Sequence, residues 1–347
     1  MSLFGKPAEV KDVEVANVQS DGISALAWSP VADLVAVASW NNEVRIYEIG
    51  PGGQNQGRAQ YTHEGPVLCV AWSKDGTKVI SGGADNAGRI YDLATGQTSQ
   101  FAAHDAPIRC VKWIDNPGQP MIATASWDKT LRYWNMTTPQ PVATVQLPER
   151  AYTMDVAYPL MVVGCAERHV LIFNLNNPTT PFKAIQSPLK MQTRSIACFP
   201  DGTGYSISSI EGRVAVQHVD DSKVSQNFSF KCHRADQKGP GFKTGSQAVY
   251  AVNAIAGHPF GTWATAGKYS LAQRIRSQWD YISRTRLKTW NDLGGPVTAC
   301  AFSHTGQFMA YAISYDWSKG HGGNVNVPNK VMIHVCQEDE VKRRPKK

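Results

Sequence analysis

Two histidine–aspartate pairs are the residues best placed to do chemistry. His63 opens His63-Glu64-Gly65-Pro66 and Asp85 follows 22 residues later; His104 opens His104-Asp105-Ala106-Pro107 and Asp128 follows by 24. A histidine and a carboxylate can form an acid–base pair or share a metal ion. Neither pair has the remaining parts of such a site. The other histidines singled out, His233, His258, His304 and His321, are far apart in sequence and lack ligand spacing. The seven cysteines (Cys69, Cys110, Cys165, Cys198, Cys232, Cys300, Cys336) contain no C-x-x-C pair. Odd in number and widely spaced, they read as buried, reduced thiols rather than a disulfide framework or zinc site. No P-loop, dinucleotide-binding glycine motif, HExxH or GxSxG elbow is present. Gly239-Pro240-Gly241 and Gly320-His321-Gly322-Gly323 read as loops. The expectation is therefore no enzyme, no metal, no cofactor and no small-molecule substrate.

The elements that hold these residues repeat. One stretch runs Ile23-Ser24-Ala25-Leu26-Ala27-Trp28 and then Val35 to Tyr47; a second runs Val67 to Ser73 and then Val79 to Asp92. A third runs Ile108 to Trp113 and then Ile122 to Trp134. Each alternates apolar and polar residues and is punctuated by turn residues, as short antiparallel strands do. Weaker copies start near Met154, Ser195, Tyr250 and Val297. The anchoring aromatics Trp28, Trp72, Trp113, Tyr158 and Phe199 recur every 41–45 residues. That period, with four strands per unit, is that of WD40 blades. The fold class is thus all-β, a seven-bladed WD40 β-propeller closed into one ring. In such blades the His and Asp belong to a hydrogen-bonded lock. The expected layout is an N-terminal extension over 1–16, the propeller over 17–336 and a basic tail over 337–347.

Composition agrees with a globular chain: of 347 residues 42% are hydrophobic and 18% charged. Apolar runs such as Leu34 to Ala38 are far shorter than the ~20 residues that span a bilayer. The start, Met1-Ser2-Leu3-Phe4-Gly5-Lys6, lacks the apolar region of a secretory signal. A soluble intracellular protein with no membrane insertion is expected. The net charge of +7 is uneven. Five positive charges lie in the last six residues, Lys342 to Lys347, and a net four between Arg274 and Lys288. The tail reads equally as a nuclear-targeting signal or a solvated end.

Five windows align after the second strand of each blade: Ser39-Trp40-Asn41, Gly83-Ala84-Asp85, Ser126-Trp127-Asp128, Cys165-Ala166-Glu167 and Ser209-Ile210-Glu211. They form tight turns that a propeller gathers on one rim. Large aromatics in such turns, Trp40, Trp127 and Tyr315, are candidates for partner contact. In the same register Arg213 leaves the fifth blade's turn, near Phe228-Ser229-Phe230-Lys231-Cys232-His233-Arg234. Arginine, lysine and aromatics together suit an acidic and apolar peptide.

These motifs resemble a known family. Gln146-Leu147-Pro148-Glu149-Arg150, Ser209-Ile210-Glu211-Gly212-Arg213-Val214, Phe230-Lys231-Cys232-His233-Arg234 and Ser314-Tyr315-Asp316-Trp317-Ser318-Lys319-Gly320 look like the RNA-export WD-repeat nucleoporin family. His104 to Pro107 and Ser126-Trp127-Asp128-Lys129-Thr130-Leu131 also fit, and the likeness runs from about Val10 onward. The resemblance implies a nuclear-pore propeller, partly cytoplasmic, that acts in messenger RNA export and captures a GLEBS motif of an FG-repeat nucleoporin. It assigns Arg213 and Lys231 to the peptide's carboxylates, with Phe230 and Trp40 as apolar support. It also implies a pocket of Arg213, Phe230, Trp279, Asp280 and Arg284 beside a basic surface for single-stranded RNA, here Arg274, Arg276, Arg284, Arg286 and Lys288. Other mRNA-export factors are further implied partners. The spindle-checkpoint WD-repeat family, which binds GLEBS motifs of checkpoint kinases, shares several signatures and is the alternative. The Leu-Pro-Glu-Arg motif and the Met-Ser-Leu-Phe-Gly start favour the export branch. One departure stands out: residues 267–278 replace a short Ser-Asp-Gly turn with a longer segment.

Overall fold

The computed structural model describes residues 11–116, 120–237, 243, 245–259, 261–267, 276–280, 284–290, 293–324 and 327–342, without the side chains of Arg276 and Trp290. Seven four-stranded antiparallel sheets follow one another along the chain. Blade one comprises Ile23–Trp28, Leu34–Ser39, Glu43–Ile49 and Asn55–Thr62, counted from the axis outward. Blades two to six repeat the order, with innermost strands Val67–Trp72, Ile108–Ile114, Ala151–Ala157, Thr193–Cys198 and Val252–Gly257. Blade seven begins with Val297–Phe302. Each innermost strand packs against those of both neighbouring blades, the last against the first, so the sheets close a ring. This is the seven-bladed propeller the repeat predicts. No helix among the described residues is long and apolar enough to cross a membrane.

The alternation that marks the strands also builds the core. Each strand turns one row of side chains to each neighbouring blade, so every blade junction holds its own apolar cluster. Between blades three and four these include Tyr133, Leu171 and Phe173; between five and six, Val214, Val216, Ile255 and Trp263. Indole N–H groups staple the ring further: Trp28 donates to the Ala301 carbonyl at 3.0 Å and Trp72 to that of Ala27 at 2.9 Å. The described cysteines are free, and burial pushes the Cys110 thiol up to about 11.

Both expected boundaries fall inside the fold. Val13–Glu14, placed in an extension, is the outermost strand of blade seven, pairing Val13 with Ile333 and Glu14 with Met332. At the other end Glu338–Val341 forms a short helix that returns to the ring, and Glu340 is 2% exposed. The reason is electrostatic as well as steric. His334 meets Asp12 at 2.6 Å through Nδ1 and Glu340 at 2.7 Å through Nε2, while Tyr311 donates to Asp12 at 2.5 Å. Lys288, on the outermost strand of blade six, pairs with Glu340.

The two histidine–aspartate pairs are structural locks. His63 Nδ1 lies 3.0 Å from Asp85, and its Nε2 meets Ser81 Oγ at 2.8 Å, where Tyr61 also donates. His104 Nδ1 lies 2.8 Å from Asp128, and its Nε2 meets Thr124 Oγ1 at 2.7 Å, where the Trp134 indole donates. Burial opposes ionisation of the two acids, yet hydrogen bonds, from His63 to Asp85 and from Thr130 and His104 to Asp128, hold both carboxyls below the usual range. Blade six carries a third copy: Thr265 Oγ1 accepts the Trp279 indole at 3.2 Å and stands 3.1 Å from His233 Nε2.

Candidate docking face and basic edge

A bulge recurs at the same place in all seven blades. The pairing of innermost and second strands shifts register across Ser24, Leu68, Arg109, Tyr152, Arg194, Asn253 and Thr298. A bulge re-aims the extra side chain, and six of these seven residues, all but Leu68, line a cavity of about 710 Å³ along the ring axis. Two are arginines. Arg109 donates to the Leu68 carbonyl at 3.0 Å and Arg194 to Asn253 Oδ1 at 3.0 Å; among the described residues neither forms an ion pair. Burial and the neighbouring Arg109 charge push Arg194 below its usual value, while Asp316 pulls it back. Deeper in the channel Lys112 is neutralised by Asp155 at 2.7 Å. Positive charge without a carboxylate partner is thus concentrated at the opening. Sequence reading missed Arg109 and Arg194; their shared position after the first residue of an innermost strand is the signal that identifies them.

Exposed aromatic and aliphatic side chains lie on the turn rim. Trp127 is 37% exposed, as expected. Trp40 is half-buried, its ring 5.5 Å from that of Trp317. Tyr315 is not available to a partner: it is 8% exposed, donating to the Gly320 carbonyl at 2.7 Å and accepting from Lys319 N. The exposed member of that loop is Trp317, at 46%. Ile210 and Met191 add exposed aliphatic surface beside blade five.

The group expected around blade five is split by strand alternation. Arg213 pairs with Lys231 directly across two strands, so the two cations share one sheet face. Phe230, paired with Val214, turns to the opposite face and packs on Trp279 and Trp263 at 4.4 and 5.7 Å. Phe230 therefore gives no apolar support beside Lys231. Arg284 lies 4.5 Å over Phe228, three residues further along the strand, or ~10 Å from the Arg213–Lys231 level. Asp280 is 1% exposed. Arg213, Phe230, Trp279, Asp280 and Arg284 thus do not form a single pocket. Trp279 spends its indole N–H inside the blade, on Thr265, and its ring on Phe230.

On the basic edge, Arg284 and Arg286 are exposed, the latter 6.0 Å from the Trp279 ring centre. Lys288 is withdrawn from that surface because its charge is committed to buried Glu340. Arg274 lies outside the described residues, and Arg276 is described only as the start of a strand.

Seven four-stranded sheets and two complete histidine–aspartate locks define a WD40-type propeller. The family model of the anaphase-promoting complex subunit 4 WD40 domain matches residues 26–116. The chain is 49% identical over 360 residues to the poly(A)+ RNA export protein of Schizosaccharomyces pombe, covering 100% of this chain and 99% of that one. It is 49% identical over 340 residues to the mRNA export factor GLE2 of Chaetomium thermophilum, covering 96% and 93%. It is 42% identical over 344 residues to protein Rae1 of Drosophila melanogaster, covering 96% of each. The chain belongs to the family of RNA-export WD-repeat proteins.

Proposed function

We propose that this chain is a non-enzymatic adaptor in mRNA export at the nuclear pore, capturing a GLEBS-type acidic peptide of an FG-repeat nucleoporin across its turn rim. The observation that carries the reading is Arg109 and Arg194, two cations on the axial cavity without ion-pair partners among the described residues, with exposed Trp127 and Trp317 and half-buried Trp40 on the turn rim. Charge and apolar surface at one opening match a peptide that brings both, and an arginine whose ion-pair capacity is unspent gains most from a carboxylate. The Arg213–Lys231 pair extends the same rim outward. The names of the relatives support the mRNA-export role. Calorimetry of the full chain with a synthetic GLEBS-type peptide tests the site: Arg194→Glu should abolish binding, and unchanged affinity would remove the opening from it. Depletion should leave polyadenylated RNA inside the nucleus, with the tagged protein decorating the nuclear rim in interphase. Kinetochore localisation with normal RNA distribution would instead favour the checkpoint relative.

A second activity belongs to the other edge of blades five and six. Guanidinium groups over Phe228 and Trp279 offer charge and stacking faces together, the combination that holds single-stranded RNA without reading its sequence.

A further inference from the structure

The third lock, in blade six, is incomplete in one specific atom. An indole N–H only donates, so Trp279 gives its proton to Thr265 Oγ1. With the threonine hydroxyl donating to His233 Nε2, as the 3.1 Å contact allows, the imidazole proton is assigned to Nδ1. In blades two and three the matching Nδ1 meets Asp85 or Asp128, and the same carboxylate accepts from the next backbone N–H, of Glu64 or Asp105. His233 Nδ1 has no hydrogen-bond partner among the described residues, although the residue is 4% exposed.

The missing acceptor is a feature of the sequence. Residues 268–275, between the second and third strands of blade six, contain no Asp or Glu. The arginine that accompanies the acid elsewhere is missing as well. Arg132 stands two residues before Trp134 and 3.2 Å from Asp128, whereas Ser277 stands two before Trp279. The glycine beside the ring is retained. A Cβ on Gly267 would come 3.4 Å from His233 Nδ1, much as one on Gly83 would come 2.9 Å from His63 Nδ1. Burial lowers His233 to about 4, so at neutral pH the ring offers a neutral donor.

We infer that a carboxylate of the bound acidic peptide accepts from His233 Nδ1, so that blade six is completed by the partner. This rests on the peptide reading above. His233 follows Lys231 by two residues, ~7 Å in extended chain, and the fifth blade's turn abuts this segment: a Cβ on Gly212 would come 2.7 Å from the Cys232 carbonyl. An extended peptide with acids two positions apart sets one on Arg213 and Lys231 and the next at His233. His233 is then a specificity-determining residue, selecting acid spacing rather than total charge.

The test uses the full chain, histidine-labelled with ¹⁵N, and a synthetic GLEBS-type peptide in Glu and all-Gln forms. The His233 Nδ1 proton should become protected from solvent exchange with the Glu peptide and not with the Gln one. His233→Gln keeps a polar group toward Thr265 but loses the Nδ1 donor; affinity should fall about tenfold or more. His233→Asn, which retains a donor near Nδ1, should bind nearly as wild type. Protection already present without peptide would indicate a resident water and overturn the inference. Equal binding by wild type and His233→Gln, with Arg213→Glu still impaired, would overturn it while leaving the docking reading intact. A Glu peptide that fails to bind the wild-type chain would overturn both.

Discussion

Trp40 of blade one and Trp317 of blade seven stack with ring centres 5.5 Å apart and planes inclined by 31°, across the seam where the ring closes. Neither ring is a core residue, so their value is to be sought in binding. Trp317→Ala should cost on the order of 2 kcal/mol in peptide affinity, the scale of an aromatic interface anchor, and shift the melting temperature by only a degree or two. Calorimetry and thermal melts on the same preparation check both.

Arg213 faces Lys231 across the outermost strand pair of blade five. Reversing one of two cations that share a carboxylate removes an attraction and adds a repulsion. Arg213→Glu should weaken the acidic peptide by about 2–5 kcal/mol with an unchanged circular dichroism spectrum. A peptide that binds this variant as tightly as wild type would take blade five out of the docking face.

Glu340 makes stability depend on pH in a defined direction. Burial raises its pKa, but hydrogen bonds from His334, Lys288 and the Gln337 backbone win and bring it down to about 2. A depressed carboxyl contributes stability that is fully present above its ordinary value near 4.5 and is lost as pH falls toward 2. Glu340→Gln should therefore lower the melting temperature at pH 7, by the equivalent of ~2–3 kcal/mol at most, and the gap to wild type should close in acid. A constant gap down to pH 2 would contradict the assignment.

The basic edge divides into residues that face solvent and one that does not. Arg284→Ala and Arg286→Ala should each weaken single-stranded RNA in a gel shift and flatten the salt dependence by about one unit of slope. Lys288→Ala should destabilise the fold through Glu340 while leaving the RNA slope unchanged. RNA binding indifferent to salt would remove the edge from function.

What could be read from residue types was what depends on local spacing. Trp28, Trp72 and Trp113 recur at the blade period, and His104 and Asp128 sit at fixed places in their blade, so blades and locks followed. Three things depend on distant or very short partners. Val13–Glu14 is too brief to show alternation, and only its pairing with the last strand makes it part of the ring. The commitment of Lys288 is to a residue 52 positions later, which no local pattern encodes. The third lock was hidden because His233 precedes Trp279 by 46 residues, against 30 from His104 to Trp134. The support that the resemblance assigned to Phe230 beside Lys231 does not follow from their adjacency, because a strand sends neighbouring residues to opposite faces.

His334 holds Asp12 on one nitrogen and Glu340 on the other, and this has a consequence for how the polypeptide can be rewired. Two residues 328 positions apart in the chain are separated by the width of one imidazole. The order of the blades is therefore a property of the circle, and the point at which the chain is opened is a separate choice. Joining the two ends by a short linker and reopening the chain at an exposed loop between other blades should return the same molecule, with its seam moved away from Trp40 and Trp317.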